Sequence, residues 1–192
     1  WLWNSKVRLG ATFFYTNLSE TILFTFSNFP QPDPFGRFGG YVNSNSGGIS
    51  RGVELSSQLA LDSRTNLQLS YTFTNADQRT PTIGTNFYEI PWVSKNQVSA
   101  TVTRWITSRF NLTMDWFWAG EYSYSPFGAQ NRRLVFEGPN KTDFVATYSI
   151  PLADHRSLEV YGKLENAFDV QYYDGGSSSP GIWGIAGLKL NF

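Results

Sequence analysis

Hydrophobic and polar residues alternate with a period of two along most of this chain, and eight segments carry the pattern. The cleanest covers residues 66–75, where Leu67, Leu69, Tyr71 and Phe73 alternate with Gln68, Ser70, Thr72 and Thr74. The others cover residues 3–27, with a register shift expected near 17–19, and residues 41–61, 92–106, 110–118, 141–150, 157–168 and 183–192. In the last of these, Gly184, Ala186, Leu188, Leu190 and Phe192 share one face, and Ile185, Gly187, Lys189 and Asn191 share the other. Several runs reach the roughly 9–11 residues that a tilted strand needs to cross a bilayer, whereas strands of soluble sandwiches are mostly about 5–6 residues long.

The connections sharpen this. Those after the second, fourth and sixth segments are short (62–65, 107–109, 152–156). Those after the first, third, fifth and seventh are long (28–40, 76–91, 119–140, 169–182). Tight turns at one end and long loops at the other is the layout of an outer-membrane barrel. The Pro- and Gly-rich stretches 30–40 and 175–181 lie between periodic segments and read as loops, so no domain boundary is expected. The fold class is all-β: a transmembrane antiparallel up-and-down β-barrel segment of about eight long strands. An even strand count places the C-terminus at the tight-turn, periplasmic end and the long loops outside.

Composition agrees. Of the 192 residues, 16% are charged and 17% aromatic. Trp92, Trp105, Trp116, Trp118, Tyr122 and Trp183 fall near strand ends, as in an aromatic girdle. No run of 18 apolar residues makes a transmembrane helix. The mean hydropathy of −0.30 would suit a soluble β-protein, but only every second barrel residue meets lipid. Fifteen basic and fifteen acidic residues balance, so no nucleic-acid partner is implied. Without cysteine there is neither a disulfide scaffold nor a thiolate metal site. The chain starts at Trp1, which implies either a removed leader or a fragment.

Catalysis is not expected. The one histidine, His155, lies beside Asp154 in a short turn, far from any face where a hydrolase would need its base. No cofactor and no metal site is expected, since an oxygen-only calcium site around Asp174 lacks EF-hand spacing. Ligand capture suits the long loops better. They carry Phe87, Tyr88, Tyr122, Tyr124, Phe127, Arg132, Arg133, Phe136 and Tyr173. Rings supply flat contact area, and Arg grips carboxylate or phosphate in pairs. The substrate-binding candidates are Tyr88, Tyr122, Tyr124, Arg132, Arg133 and Tyr173; the two arginines also suit anionic lipopolysaccharide.

Three elements resemble TonB-dependent outer-membrane receptors. Ser50-Arg51-Gly52-Val53-Glu54-Leu55 resembles the family's R-G-V-E strand, and a tight turn and Leu69-Ser70-Tyr71-Thr72-Phe73-Thr74-Asn75-Ala76 follow it. Leu164-Glu165-Asn166-Ala167-Phe168-Asp169-Val170-Gln171-Tyr172-Tyr173 resembles the N-L-F-D-x-x-Y-Y element, with Ala167 in place of Leu. Pro180-Gly181 leads into the last strand as in the family, with Ile182 where Arg is common. Gly187, Leu190 and Phe192 resemble the signal read by the barrel assembly machinery, although Ile185 departs from its usual polar start.

The resemblance covers essentially the whole chain. It implies the closing eight strands of a 22-stranded barrel, without the N-terminal plug that meets TonB. It also implies uptake of a large scarce solute of the iron–siderophore, haem or cobalamin class. Glu54, Gln58, Gln68, Asp115, Glu159, Lys163, Glu165 and Lys189 would form the lumen wall, facing the plug or channel water. The alternative is a self-contained eight-stranded outer-membrane barrel with a structural or adhesion role, since eight strands are an allowed closed count.

Overall fold

A computed structural model describes all of the chain except residues 1, 4–5, 26–32, 38, 45–46, 80–86, 91, 125–133, 154–155 and 175–176. Eight long strands form one antiparallel sheet: β1 (Val7–Leu18), β2 (Gly48–Asp62), β3 (Thr65–Arg79), β4 (Asn96–Trp105), β5 (Phe110–Ala119), β6 (Asn140–Pro151), β7 (Ser157–Glu165) and β8 (Trp183–Asn191). They pair in chain order, each with its sequence neighbours. Leu2–Trp3 pairs with β1, and Phe87–Glu89 pairs with β3. Among the described residues the sheet is open, with Leu2–Trp3 and β8 at its two ends.

The eight periodic segments are these strands, with instructive differences at their ends. The first segment splits: β1 stops at Leu18, and Thr21–Thr25 forms a separate hairpin with Gly40–Ser44. The register shift expected near 17–19 is therefore a strand end. The fourth strand starts at Asn96, not at 92, because Trp92 has φ 72° and cannot be extended. The seventh ends at Glu165, not at 168, because Asn166 turns into the left-handed region at φ 49°.

The tight turns are closed by their own side chains. The Asp62 carboxylate accepts the Arg64 amide at 2.7 Å and the Thr65 hydroxyl at 3.0 Å. The Thr107 hydroxyl accepts the amides of Arg109 (3.2 Å) and Phe110 (3.0 Å). Asx- and ST-type turns of this kind need no longer loop.

The chain divides into two compact units, residues 1–12, 53–73 and 91–192, and residues 13–52 and 74–90. In the second, Asp33 organises a turn. Its carboxylate takes the Arg37 guanidinium at 2.7 Å and the amides of Phe35 and Arg37 at 2.9 Å each. These bonds, the Arg37 side chain first, hold the carboxyl down to about 2 from 3.8.

In the first unit the ladder sorts side chains into two faces. Phe110, Tyr148, Val160 and Leu188 stand in one apolar row across β5–β8, and Leu112, Ala146, Gly162 and Ala186 in the next. Leu188 is 68% exposed and Phe192 89%. The buried hydrophobic residues among those described are Ala76, Ala119 and Tyr122 alone, so neither face covers a conventional core. A water-soluble sheet of this size would bury its apolar rows; this one leaves them open, as lipid contact requires.

The opposite face is hydrogen-bonded across strands. Ser70 meets Ser99 at 2.7 Å, Thr101 donates to Asp115 at 2.6 Å, and Thr103 meets Thr113 at 3.0 Å. Lys189 lies 3.6 Å from Glu159, and Lys163 contacts Glu165 and lies 3.6 Å from Asp143. Of the residues expected on the lumen wall, Gln68 and Asp115 both pair with Thr101, and Glu159 pairs with Lys189, so they share this polar face.

Candidate functional site

At the long-loop end of the first unit, three loops bring aromatic side chains together. Tyr122–Tyr124 follows β5 and pairs with Leu134–Phe136, with Tyr122 opposite Phe136. The Phe136 ring centroid lies 5.8 Å from Tyr122, 6.2 Å from Tyr124 and 5.2 Å from Tyr173. Tyr124 stands edge-on to Trp92 at 4.5 Å. The Tyr122 hydroxyl donates to the Tyr173 carbonyl at 2.9 Å. Ring pairs at these separations are worth about 0.5–1.5 kcal/mol each beyond their burial.

Glycines and buried hydroxyls allow the loops to meet. Gly138 lies so close to the carbonyls of Ala119 and Gly120 that any Cβ would collide with backbone. Ser94 is buried and donates to the Gly120 carbonyl at 2.7 Å. The Trp92 amide donates to the Ser123 carbonyl at 2.7 Å. That bond and the Tyr124 ring hold Trp92 in the left-handed region, which costs a bulky residue about 1–3 kcal/mol. Backbone strain of this kind commonly marks functional sites.

Trp92 and Tyr173 present about half their surface to solvent, Tyr124 and Phe136 are half-buried, and Tyr122 is buried beneath them. The result is an exposed aromatic platform braced from below by a phenol. It offers flat rings and phenolic hydroxyls to an organic ligand.

A second cluster lies where β7 leaves the sheet. Asn166 is 3% exposed. Its carboxamide donates to the carbonyls of Val170 (3.0 Å) and Pro180 (3.2 Å) and accepts the Val170 amide at 3.0 Å. Its backbone amide donates to Asp143 Oδ1 at 2.9 Å. The Asp143 carboxylate lies 3.3 Å from Lys141 and 3.6 Å from Lys163. Asp169, also left-handed at φ 51°, accepts the Ile182 amide at 3.0 Å. A Cβ on Gly181 would lie 2.8 Å from that carboxylate, which would have to shift to admit it. The Asn-x-x-Asp and Pro-Gly elements thus form one hydrogen-bonded junction between β7 and β8. Asn and Asp tolerate left-handed backbone better than other residues with a Cβ.

Of the candidates expected from sequence, Tyr122, Tyr124 and Tyr173 lie together in the aromatic cluster. Tyr88 lies in the other unit, its backbone paired with Gln78, and only its backbone is described. Arg132, Arg133, Phe127, Asp154 and His155 lie outside the described residues. Trp92, read from sequence as a girdle residue, belongs to the cluster, and no alternation pattern marks it. Gly187 lies beneath the Tyr161 ring of β7, which fills the space of a Cβ. Leu190 pairs with Leu158 on the apolar face, and Phe192 is exposed beyond the strand end.

Comparison with known proteins follows the same outline. Three solved structures are similar over nearly the whole chain, each at 15% identity. BauA, the ferric preacinetobactin receptor from Acinetobacter baumannii, has a TM-score of 0.69, with 97% of this chain and 27% of BauA covered. FpvA of P. aeruginosa, solved with heterologous pyoverdines, has a TM-score of 0.65 with 96% and 24% covered. Fiu, the ferric-catecholate import receptor of K12 E. coli, has a TM-score of 0.65 with 98% and 26% covered. The chain spans about a quarter of the length of these receptors. No curated protein matches it in sequence. A family model, TonB dependent receptor-like, beta-barrel, matches residues 1–167. With that match over most of its length, and with open apolar rows on one face of an antiparallel sheet, the chain belongs to the TonB-dependent receptor β-barrel family.

Proposed function

We propose that this chain is barrel wall and outer loops of a receptor that imports an iron chelate across the outer membrane of a Gram-negative-type cell. The observation that carries the reading is the convergence of Trp92, Tyr122, Tyr124, Phe136 and Tyr173 at the long-loop end. The three similar receptors carry ferric preacinetobactin, pyoverdine or ferric-catecholate in their names. An iron–siderophore complex is therefore favoured over haem and cobalamin.

In this reading the apolar rows meet lipid, and the long loops face outside with lipopolysaccharide around them. The polar face lines the lumen against the receptor's own plug, and the C-terminus is periplasmic. The plug and the remaining strands lie outside this sequence, and TonB acts through that plug. The aromatic platform holds the chelate by ring contact, with Arg132 and Arg133 in the same 119–140 loop available to acidic groups. Capture comes first, and passage follows when the plug is pulled. Gly187, Leu190 and Phe192 serve recognition by the barrel assembly machinery and take no part in the ligand site. The family is one of receptors, and no chemical step is assigned to this chain.

The test is radio-iron uptake by cells whose intact receptor carries Tyr124→Ala and Tyr173→Ala together. Ferric catecholate, pyoverdine, haem and labelled cobalamin are offered separately. Loss of uptake for one ferric chelate, with the receptor still in the outer membrane, supports the proposal. Undiminished uptake of every iron source, or loss confined to cobalamin, contradicts it.

A further inference from the structure

Residues 170–174, which carry Tyr173, and residues 177–180 run antiparallel and are stapled together at their base. A single carboxamide, that of Asn166, bonds Val170 of the first stretch and Pro180 of the second. Inside that bracket the Tyr172 amide donates to Ser179 Oγ at 3.1 Å, and the Ser179 amide returns to the Tyr172 carbonyl at 2.9 Å. Tyr173 is the next residue, paired with Ser178, and its carbonyl meets the Tyr122 hydroxyl. Asn166 is fixed in turn from the sheet: its amide bonds Asp143 of β6, and the neighbouring Ala167 amide bonds the Thr142 carbonyl at 2.8 Å. Hydrogen bonds at successive points, joined by short stretches of backbone, therefore link a carboxylate on the polar wall to Tyr122 and the Tyr173 backbone in the aromatic platform.

We infer that Asn166, anchored by Asp143, is the positioning residue that sets Tyr173 into the aromatic site. The inference rests on the reading of that cluster as the ligand site. The chemistry requires a carboxamide. At this position one group must donate to two carbonyls and accept from one amide, in a left-handed backbone. Aspartate has the same shape and tolerates the backbone, but it offers no donor to the carbonyls of Val170 and Pro180. Toward the Asn166 amide, Asp143 need only supply an acceptor, which asparagine also does.

The test is chemical crosslinking in the intact receptor, held in outer-membrane vesicles on an otherwise cysteine-free background. Phe136→Cys and Tyr173→Cys are joined by a short thiol-to-thiol reagent, and yield is normalised to folded, heat-modifiable receptor. Asn166→Asp removes two donors, so the yield falls roughly fivefold or more. Asp143→Ala lowers it as well, and Asp143→Asn restores it. A purely structural role would reduce the amount of folded receptor and leave the normalised yield unchanged. Wild-type crosslinking in Asn166→Asp overturns the inference. If that variant does not assemble, equal yields from Asp143→Ala and Asp143→Asn overturn it instead. Crosslinking needs no ligand, so a Tyr173→Ala receptor that still imports iron would refute the site while leaving this result standing.

Discussion

Replacing Leu188 with arginine puts a guanidinium near the middle of β8 on the apolar face. Leu188 faces Val160, which faces Tyr148 in turn, and it is 68% exposed. The 9 residues of β8 make about 30 Å of strand, or about 21 Å of depth at a tilt of roughly 45°. Position 188 is one residue from the centre, Gly187, so it lies within about 2 Å of mid-depth. An arginine there costs about 2–4 kcal/mol. That lowers the folded-to-unfolded ratio by roughly 30- to 900-fold. The matched control is Thr147→Arg. Thr147 pairs with Tyr161, which pairs with Gly187, on the polar face; two strand spacings at that tilt put it within about 7 Å of the same depth. There the charge faces the lumen instead of lipid, and the cost of burying it in hydrocarbon is absent. Urea unfolding of the intact receptor in phospholipid vesicles, followed by tryptophan fluorescence, measures both. Equal costs, or a greater cost at Thr147, would refute the assignment of faces.

Gly138→Ala drives a Cβ into the backbone carbonyls of Ala119 and Gly120. It should cost about 1–3 kcal/mol and displace the paired Tyr122–Tyr124 and Leu134–Phe136 strands, read as increased protease nicking between residues 124 and 134; unchanged cleavage would count against the packing described. Gly187→Ala pushes the Tyr161 ring aside and should reduce folded receptor modestly, whereas in a Tyr161→Ala background the same change should be nearly neutral; a double-mutant cycle without coupling would contradict the stacking. The Asp33 turn has a carboxyl depressed from 3.8 to about 2. A depressed carboxyl stabilises the fold above its unfolded value and loses that contribution as pH falls through the folded value. Hydrogen-exchange protection of the Arg37 amide should therefore persist below pH 3.8 and disappear near pH 2, and loss of protection already at pH 3.8 would refute it.

The strands were legible because period two is a direct consequence of a pleat with unlike surroundings on its two sides. Leu67, Leu69 and Tyr71 on β3 show it without tertiary help. The strand ends were less so. Trp92 lies next to a periodic segment but off it in backbone angle, and its bond to the Ser123 carbonyl comes from another loop. Asn166 and Asp169 were visible as parts of a family resemblance, but not the contact that gives them purpose, because Asp143 lies on another strand. Aromatic loop residues are nameable from composition, and four of them, Tyr122, Tyr124, Phe136 and Tyr173, converge. Which rings meet depended on Gly138 and the Asn166 junction, whose effect is geometric and long-range in sequence.

The central claim is that the rings at the long-loop end hold a ferric chelate. It is tested most directly by titrating ferric catecholate and ferric pyoverdine into the purified intact receptor, wild type and Tyr124→Ala/Tyr173→Ala, with tryptophan fluorescence as readout. The account predicts saturable binding of one chelate by the wild type and a loss of about 2 kcal/mol or more, some 30-fold, in the variant. Equal affinity in the two receptors would contradict it.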